Sequence, residues 1–205
     1  MTVLVVYAHP VEGSFVSAVR DRVIAGLSAG GATVDVIDLY ADGFDPVVPE
    51  DDWRSHAAVR TDDHPLAGYA QRLRAADALV FVHPTWWGGA PAILKGFVDR
   101  LFVNGVALTL DVERNRIRGR LGHVRDLAVF ATHGSPWRIN ALFEGEPGKL
   151  LVSRQFRLLC SWRTRFSWVP MYGLDRADAG QRAEYLASVE ARAVRLGRRS
   201  AARRR

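Results

Sequence analysis

Two adjacent tryptophans, Trp86 and Trp87, lie in the run His83-Pro84-Thr85-Trp86-Trp87-Gly88-Gly89-Ala90-Pro91, between an apolar segment and an amphipathic one. Two indoles followed by two glycines can form a flat aromatic shelf for a planar ligand. They can equally be core or a subunit interface, where tryptophan is common. A second loop, Ala8-His9-Pro10-Val11-Glu12-Gly13-Ser14-Phe15, joins an apolar run to a helical one. The free N–H groups and positive dipole end of a helix start favour phosphate there. Ser14 could bond a phosphate oxygen or cap the helix, and His9 could donate to a phosphate or bond neighbouring backbone. This loop lacks both the glycine spacing of a dinucleotide fingerprint and the Gly-Lys pair of a Walker loop, which disfavours a nucleotide triphosphatase. A third loop, Ala131-Thr132-His133-Gly134-Ser135-Pro136-Trp137-Arg138, sets a glycine before a hydroxyl residue. Backbone N–H groups can approach a ligand closely at such a place, although an ordinary turn has the same composition.

The elements that would position these loops alternate along the whole chain. Strands are expected at 2–8, 33–39, 77–83, 124–132 and from Arg163 to Val169. Helices are expected at about 14–29, 65–76, 91–102, 148–160 and 178–197. In the first helix Val16, Val19, Val23, Ile24 and Leu27 make one apolar stripe, and Gly30-Gly31 is a stop signal. Pro91 suits a first helical position, and Ile93, Leu94, Phe97, Val98, Leu101 and Phe102 follow at helical spacing. The acidic stretch Tyr40 to His64 reads as a surface excursion with one helical turn, and Gly105 to Gly122 reads as irregular. Alternating elements imply an α/β fold with a doubly wound, five-stranded parallel sheet and helices on both faces. All three loops then leave the sheet at the carboxyl ends of strands, the edge where such sheets bind ligands.

At 205 residues, 48% hydrophobic and 24% charged, the chain fits one domain, 1–197, with a basic tail at 198–205. No apolar run is long enough for a spanning helix, so no membrane insertion is expected. The first residues read as a strand rather than a secretory leader, which points to the cytoplasm. The single cysteine, Cys160, excludes an internal disulfide framework and a cysteine-based metal cluster, and reads as a small buried residue. The formal charge of +6 is concentrated in seven arginines after position 191. No aromatic residue is interleaved with them, so the tail reads as solvated and no nucleic-acid partner is expected. His9, His83 and His133 could in principle ligate zinc from three loops, but no carboxylate base accompanies them in these motifs.

Tyr7-Ala8-His9-Pro10 with Ser14-Phe15, Pro84 and Trp87 with Pro91-Ala92-Ile93-Leu94-Lys95-Gly96, and Thr132 with Gly134-Ser135 together give a resemblance over roughly residues 2–170. The chain resembles the flavodoxin-like NAD(P)H:quinone reductases, which include NAD(P)H dehydrogenase (quinone), modulators of drug activity and ancillary reductases of potassium efflux systems. The resemblance implies strand order 2-1-3-4-5 and a bound flavin, FAD with FMN as the alternative. It also implies NAD(P)H as co-substrate and a quinone or similar planar aromatic molecule as acceptor. By the same resemblance His9, Ser14 and Phe15 hold the flavin phosphate. Pro84, Thr85, Trp86, Trp87 and Gly88 line the isoalloxazine, and Thr132, His133, Gly134 and Ser135 face its pyrimidine edge. Hydride passing from nicotinamide to flavin and on to a quinone in one shared slot implies ping-pong kinetics. Donors such as the Gly134 and Ser135 amides would stabilise negative charge on the flavin.

One departure concerns the reaction itself. These reductases commonly carry a tyrosine and a histidine after the third loop to relay charge, whereas here Trp137-Arg138-Ile139-Asn140 follows and no histidine comes after His133. Arg138 or His133 are the candidates to take that part, so Trp87, Gly134 and Arg138 form the expected catalytic set. The family also implies a homodimer with the flavin near its two-fold, to which Phe97, Leu101 and Phe102 could contribute. The rival readings are a flavodoxin-type electron carrier, which is typically acidic where this chain is basic, and an ancillary subunit of a membrane transporter.

Overall fold

Continuous apolar runs form the centre of the sheet. β1 (Thr2–Tyr7), β3 (Ala78–Pro84) and β6 (Asp126–Thr132) are buried along almost their whole length, as strands covered on both faces must be. The computed structural model, which describes residues 1–201, joins them with β2 (Thr33–Asp38) and β7 (Arg165–Met171) in one parallel sheet. The sheet order is β2-β1-β3-β6-β7, which is the expected 2-1-3-4-5 when only its own strands are counted. The two strands between β3 and β6 in the chain stand apart. β4 (Leu108–Asp111) and β5 (Arg116–Gly119) pair antiparallel in a stretch expected to be irregular. Both sequences alternate, but over four residues at most, and β5 is exposed on every residue, so no buried face marks it as a strand. Asn104 fixes this hairpin instead, donating to Ala57 O at 2.6 Å and accepting from Leu110 N–H at 3.1 Å.

Helices cover both faces. α1 (Phe15–Ala29) and α7 (Ala179–Ala201) lie on one side, where Val16, Val19, Val23 and Leu27 meet Val189, Ala193 and Leu196. On the other side are the short α2 (Glu50–Arg54), α3 (Ala67–Ala75) and α4 (Ala92–Leu101), the last two contributing Ala70, Leu73, Ile93, Leu94 and Phe97 to the core. Phe97 and Leu101 are therefore core residues, and Phe102 stacks on Phe156 at 4.4 Å. That corrects the expectation that these side chains reach a subunit interface. The helix expected at 148–160 is broken. α5 (Pro147–Leu150) and α6 (Arg157–Leu159) are short α-helical turns flanking a π-helical stretch, Leu151–Phe156, and a second π-helical stretch spans Ile139–Phe143. β7 also starts and ends two residues later than expected. Among the described residues no helix is long and apolar enough to cross a membrane.

The last helix runs beyond the boundary expected at Gly197, so positions 198–201 continue α7 rather than open a tail. Residues 202–205 of that expected tail lie outside the described residues. Gly197 is where α7 meets α1 backbone to backbone. A Cβ on Gly197 would stand 2.5 Å from Leu27 O and 2.9 Å from the Cα of Gly30. Ala has the better helix propensity by about 1 kcal/mol, yet Gly197→Ala is expected to destabilise the protein by roughly 1–3 kcal/mol because two helix backbones must part. Denaturant unfolding measures this, and a stabilised variant would contradict the packing described.

Candidate active site

Parallel register brings the three loops to one edge. Tyr7 lies beside Val82 and Pro84 beside Thr132, and past the strand ends the backbone stays tied. Ala8 N–H donates to Val82 O at 3.0 Å, Thr85 N–H to Thr132 O at 2.7 Å, and His133 N–H to Met171 O at 2.8 Å.

In the first loop Ser14 caps α1, its Oγ accepting from Ser17 N–H at 3.1 Å. The hydroxyl proton stays free to donate. The N–H groups of Phe15 and Val16 have no protein acceptor among the described residues, and no acid stands in the first turn. His9 Nδ1 accepts from Val11 N–H at 3.1 Å, which leaves Nε2 to carry the ring proton by inference. Beneath them the Tyr7 hydroxyl is buried and unpartnered. It lies beside Ser14 short of hydrogen-bond geometry, and burial raises its pKa. The Arg20 guanidinium sits 4.7 Å above the Tyr7 ring centroid. Unclaimed donors at a helix start, with a buried hydroxyl below them, fit the phosphate end of a nucleotide-like ligand.

The tryptophan loop is a tight hairpin. Trp86 and Gly89 exchange both backbone hydrogen bonds at 3.0 Å, and the two residues between them, Trp87 and Gly88, have φ of 49° and 74°. Positive φ at both central positions is the pattern of a type I′ turn. For an indole it is an outlier that costs about 1–2 kcal/mol. Trp87 is 104% exposed and Trp86 42%, so neither is core. The Glu144 carboxyl lies against Gly88.

In the third loop Gly134 and Ser135 keep N–H groups without a protein acceptor among the described residues. Their carbonyl sides are held. Asn140 Nδ2 donates to Ser135 O at 2.9 Å, Gly173 N–H to Ser135 O at 2.9 Å, and Leu174 N–H to His133 O at 2.9 Å. His133 is buried, with Nδ1 at 2.7 Å from Asn140 Oδ1 and Nε2 at 3.4 Å from Thr85 Oγ1. Because Asn140 spends its amine on backbone, its oxygen must accept, which assigns the His133 proton to Nδ1. Burial lowers the His133 pKa, so the ring is neutral near pH 7 and Nε2 is a lone-pair nitrogen. Arg138 is exposed at the head of the π-helical stretch Ile139–Phe143. His83 faces the interior, its Nδ1 donating to Pro84 O at 2.8 Å. The three histidines do not converge, and among the described residues no group of metal-ligating side chains forms.

Sequence reasoning passed over a fourth contributor. Tyr172, directly after β7, packs its ring 4.7 Å from that of His133. Its hydroxyl bonds the buried Glu146 carboxylate, which Lys149 also reaches at 2.7 Å. Burial, followed by the Glu146 carboxylate, pushes the Tyr172 pKa up to about 12. Burial alone would raise the Glu146 pKa, but donors from Lys149 and Tyr172 outweigh it and the net shift is downward. The signal was available. β7 is parallel, so the residue after its carboxyl end belongs to the same edge.

Two outcomes follow from the local strain and burial. Trp87→Asn replaces an indole in left-handed backbone with a residue that tolerates it, and should raise unfolding free energy by about 1 kcal/mol. Unchanged or lower stability would contradict the turn geometry. Burial holds the His83 pKa at about 4, below the unfolded value near 6.5. The unfolded chain therefore takes up the proton first, and stability falls as pH drops from about 6.5 to about 4, by roughly 3 kcal/mol. His83→Gln should flatten that part of the pH–stability curve, and an unchanged slope would contradict it.

Residues 1–194 match the model of a family described as having a flavodoxin-like fold. The chain is 32% identical over 124 residues to ribosyldihydronicotinamide dehydrogenase [quinone] of Pongo abelii, covering 53% of this chain and 54% of that protein. It is 36% identical over 109 residues to an uncharacterized NAD(P)H oxidoreductase of Escherichia coli (strain K12), covering 51% and 54%. The chain thus spans about half the length of these relatives. Among solved structures, that of Smu.1420 from Streptococcus mutans UA159 superposes with a TM-score of 0.80 at 28% identity, covering 97% of this chain and 100% of that one.

Proposed function

The chain belongs to the family of flavodoxin-like fold matched over residues 1–194, and from that premise we propose that it is a flavin-dependent NAD(P)H:quinone oxidoreductase. The observation that carries the reading is Trp87, held fully exposed in strained backbone on the edge that also offers the α1 terminus and the Gly134 and Ser135 amides. Conformational strain of this kind persists at functional sites. The relatives named as quinone dehydrogenase and NAD(P)H oxidoreductase support the same class.

In this reading His9, Ser14 and Phe15 hold the flavin phosphate, with FAD preferred and FMN the alternative. Pro84, Thr85, Trp86, Trp87 and Gly88 line the ring, and Thr132, His133, Gly134 and Ser135 face its polar edge. When bound, the flavin supplies two-electron chemistry, accepting hydride from NAD(P)H and giving it to the acceptor. The net reaction, NAD(P)H + H⁺ + quinone → NAD(P)⁺ + hydroquinone, consumes one proton. His133 Nε2 can hold it, with Nδ1 anchored on Asn140. The Gly134 and Ser135 amides and the exposed Arg138 favour negative charge developing beside them. Until it takes that proton, neutral His133 adds no charge of its own. The shelf excludes water by apolar contact with any flat acceptor.

Trp87, Trp137, Leu142 and Phe143 are exposed around the site, which supports a homodimer closing over it. The cytoplasm is the compartment proposed. Initial rates against NADPH at several fixed quinone concentrations test the mechanism. Parallel double-reciprocal lines are expected from one slot used in turn. Intersecting lines would overturn the shared slot, and failure to oxidise NADPH with any free quinone would favour an electron carrier.

A further inference from the structure

A polar cavity outside the site just described lies between α7 and the β6–β7 edge of the sheet. It is a cavity of about 60 Å³, floored by Ala128, Phe130, Ser167 and Val169 and walled by Arg192, Arg195 and Arg199. The three arginines fall at spacings of three and four along α7, so they share one helix face beside the buried Leu196.

Charge in this cavity is unbalanced. Among the described residues the acid paired with its lining is Asp126, which is almost fully buried at the start of β6 and already committed to Arg165 through Nε at 3.0 Å and Nη2 at 3.1 Å. Arg199 Nη2 reaches the same carboxylate only at 3.4 Å. Among the described residues neither Arg192 nor Arg195 has a carboxylate within ion-pair distance. Arg199 Nε is buried with no hydrogen-bond partner at all. A buried guanidinium N–H without an acceptor is unfavourable, because it has given up water and received nothing in exchange.

We propose that this cavity is a binding site for a small tetrahedral oxyanion, inorganic phosphate or the phosphate of a small phosphomonoester. An oxyanion there accepts from the orphaned Arg199 Nε and neutralises Arg192 and Arg195, with Ser167 as a further donor. Planar guanidinium forks suit phosphate oxygens. A water occupies about 30 Å³ of liquid, so a cavity of about 60 Å³ seats part of an oxyanion, with the rest reaching solvent beside the exposed Arg192 and Arg195. The site is distinct from the α1 terminus. Its floor is the middle of β6 and of the edge strand β7, and Arg199 in its wall reaches Asp126 at the amino end of β6, whereas the shelf and its neighbouring turns are at the carboxyl ends.

Phosphate titration by calorimetry, at constant ionic strength and with FAD in excess so that the α1 terminus is occupied, tests the proposal. Saturable binding is expected at one site per chain, with sulfate competing. The double variant R192Q/R195Q should weaken it by roughly tenfold or more, and R114Q on the β4–β5 turn should leave it unchanged. Arg199→Lys keeps the charge but removes the Nε donor, and should also weaken binding while circular dichroism and unfolding midpoint stay near wild type. A phosphomonoester that binds more tightly than inorganic phosphate would identify a metabolite as the source, and equal affinity would identify the free anion. No saturable binding by the folded wild type, or binding that survives both the double variant and Arg199→Lys, overturns the site.

Discussion

The parallel pairing of β1, β3, β6 and β7 is the constraint on which the rest depends. It aligns four strand ends in one row, and the backbone bonds Ala8 to Val82, Thr85 to Thr132 and His133 to Met171 carry that alignment one residue past each strand. The turns are thus fixed by main-chain hydrogen bonds before any side chain is considered. A loop placed this way can hold a donor at a set height without a covering layer, which is how doubly wound sheets present ligands to solvent.

On that edge the local rules of stability are broken in a consistent direction. Trp87 takes a left-handed conformation and full exposure, Glu146 is buried in left-handed backbone, and a π-helical stretch lies on each side of Glu146. Each is unfavourable alone, and together they surround free amides and a neutral histidine. The buried His133 ring and the half-buried Tyr172 ring pack together and stiffen the polar side of the edge, so the exposed indole has a rigid counterpart across the row. Elsewhere the chain follows ordinary packing, down to the glycine contact between α1 and α7.

Much of this was legible in the residues. Uninterrupted apolar runs located β1, β3 and β6, helical spacing located α1 and α4, and the carboxyl-end rule put His9, Trp87 and Gly134 in one row. What escaped had little hydrophobic pattern to betray it. β4 and β5 alternate over no more than four residues each and pair on the surface without a buried face, too short a pattern to mark a strand, and the π-helical stretches have the composition of plain helix. Tyr172 was missed because the strand before it ends two residues late, at Met171. Phe97 and Leu101 were offered to a subunit interface although helical spacing alone places them on the core side of α4.

The central claim is that the row of turns at His9, Trp87 and Gly134 binds one flat flavin ring against an exposed indole. Titrating the purified protein into FAD and, separately, FMN while following flavin fluorescence tests it most directly, because an indole in contact with the ring quenches its emission. The account predicts saturable quenching at one flavin per chain that is largely lost in Trp87→Ala. Unquenched emission with both flavins, or equal quenching by wild type and variant, would contradict it.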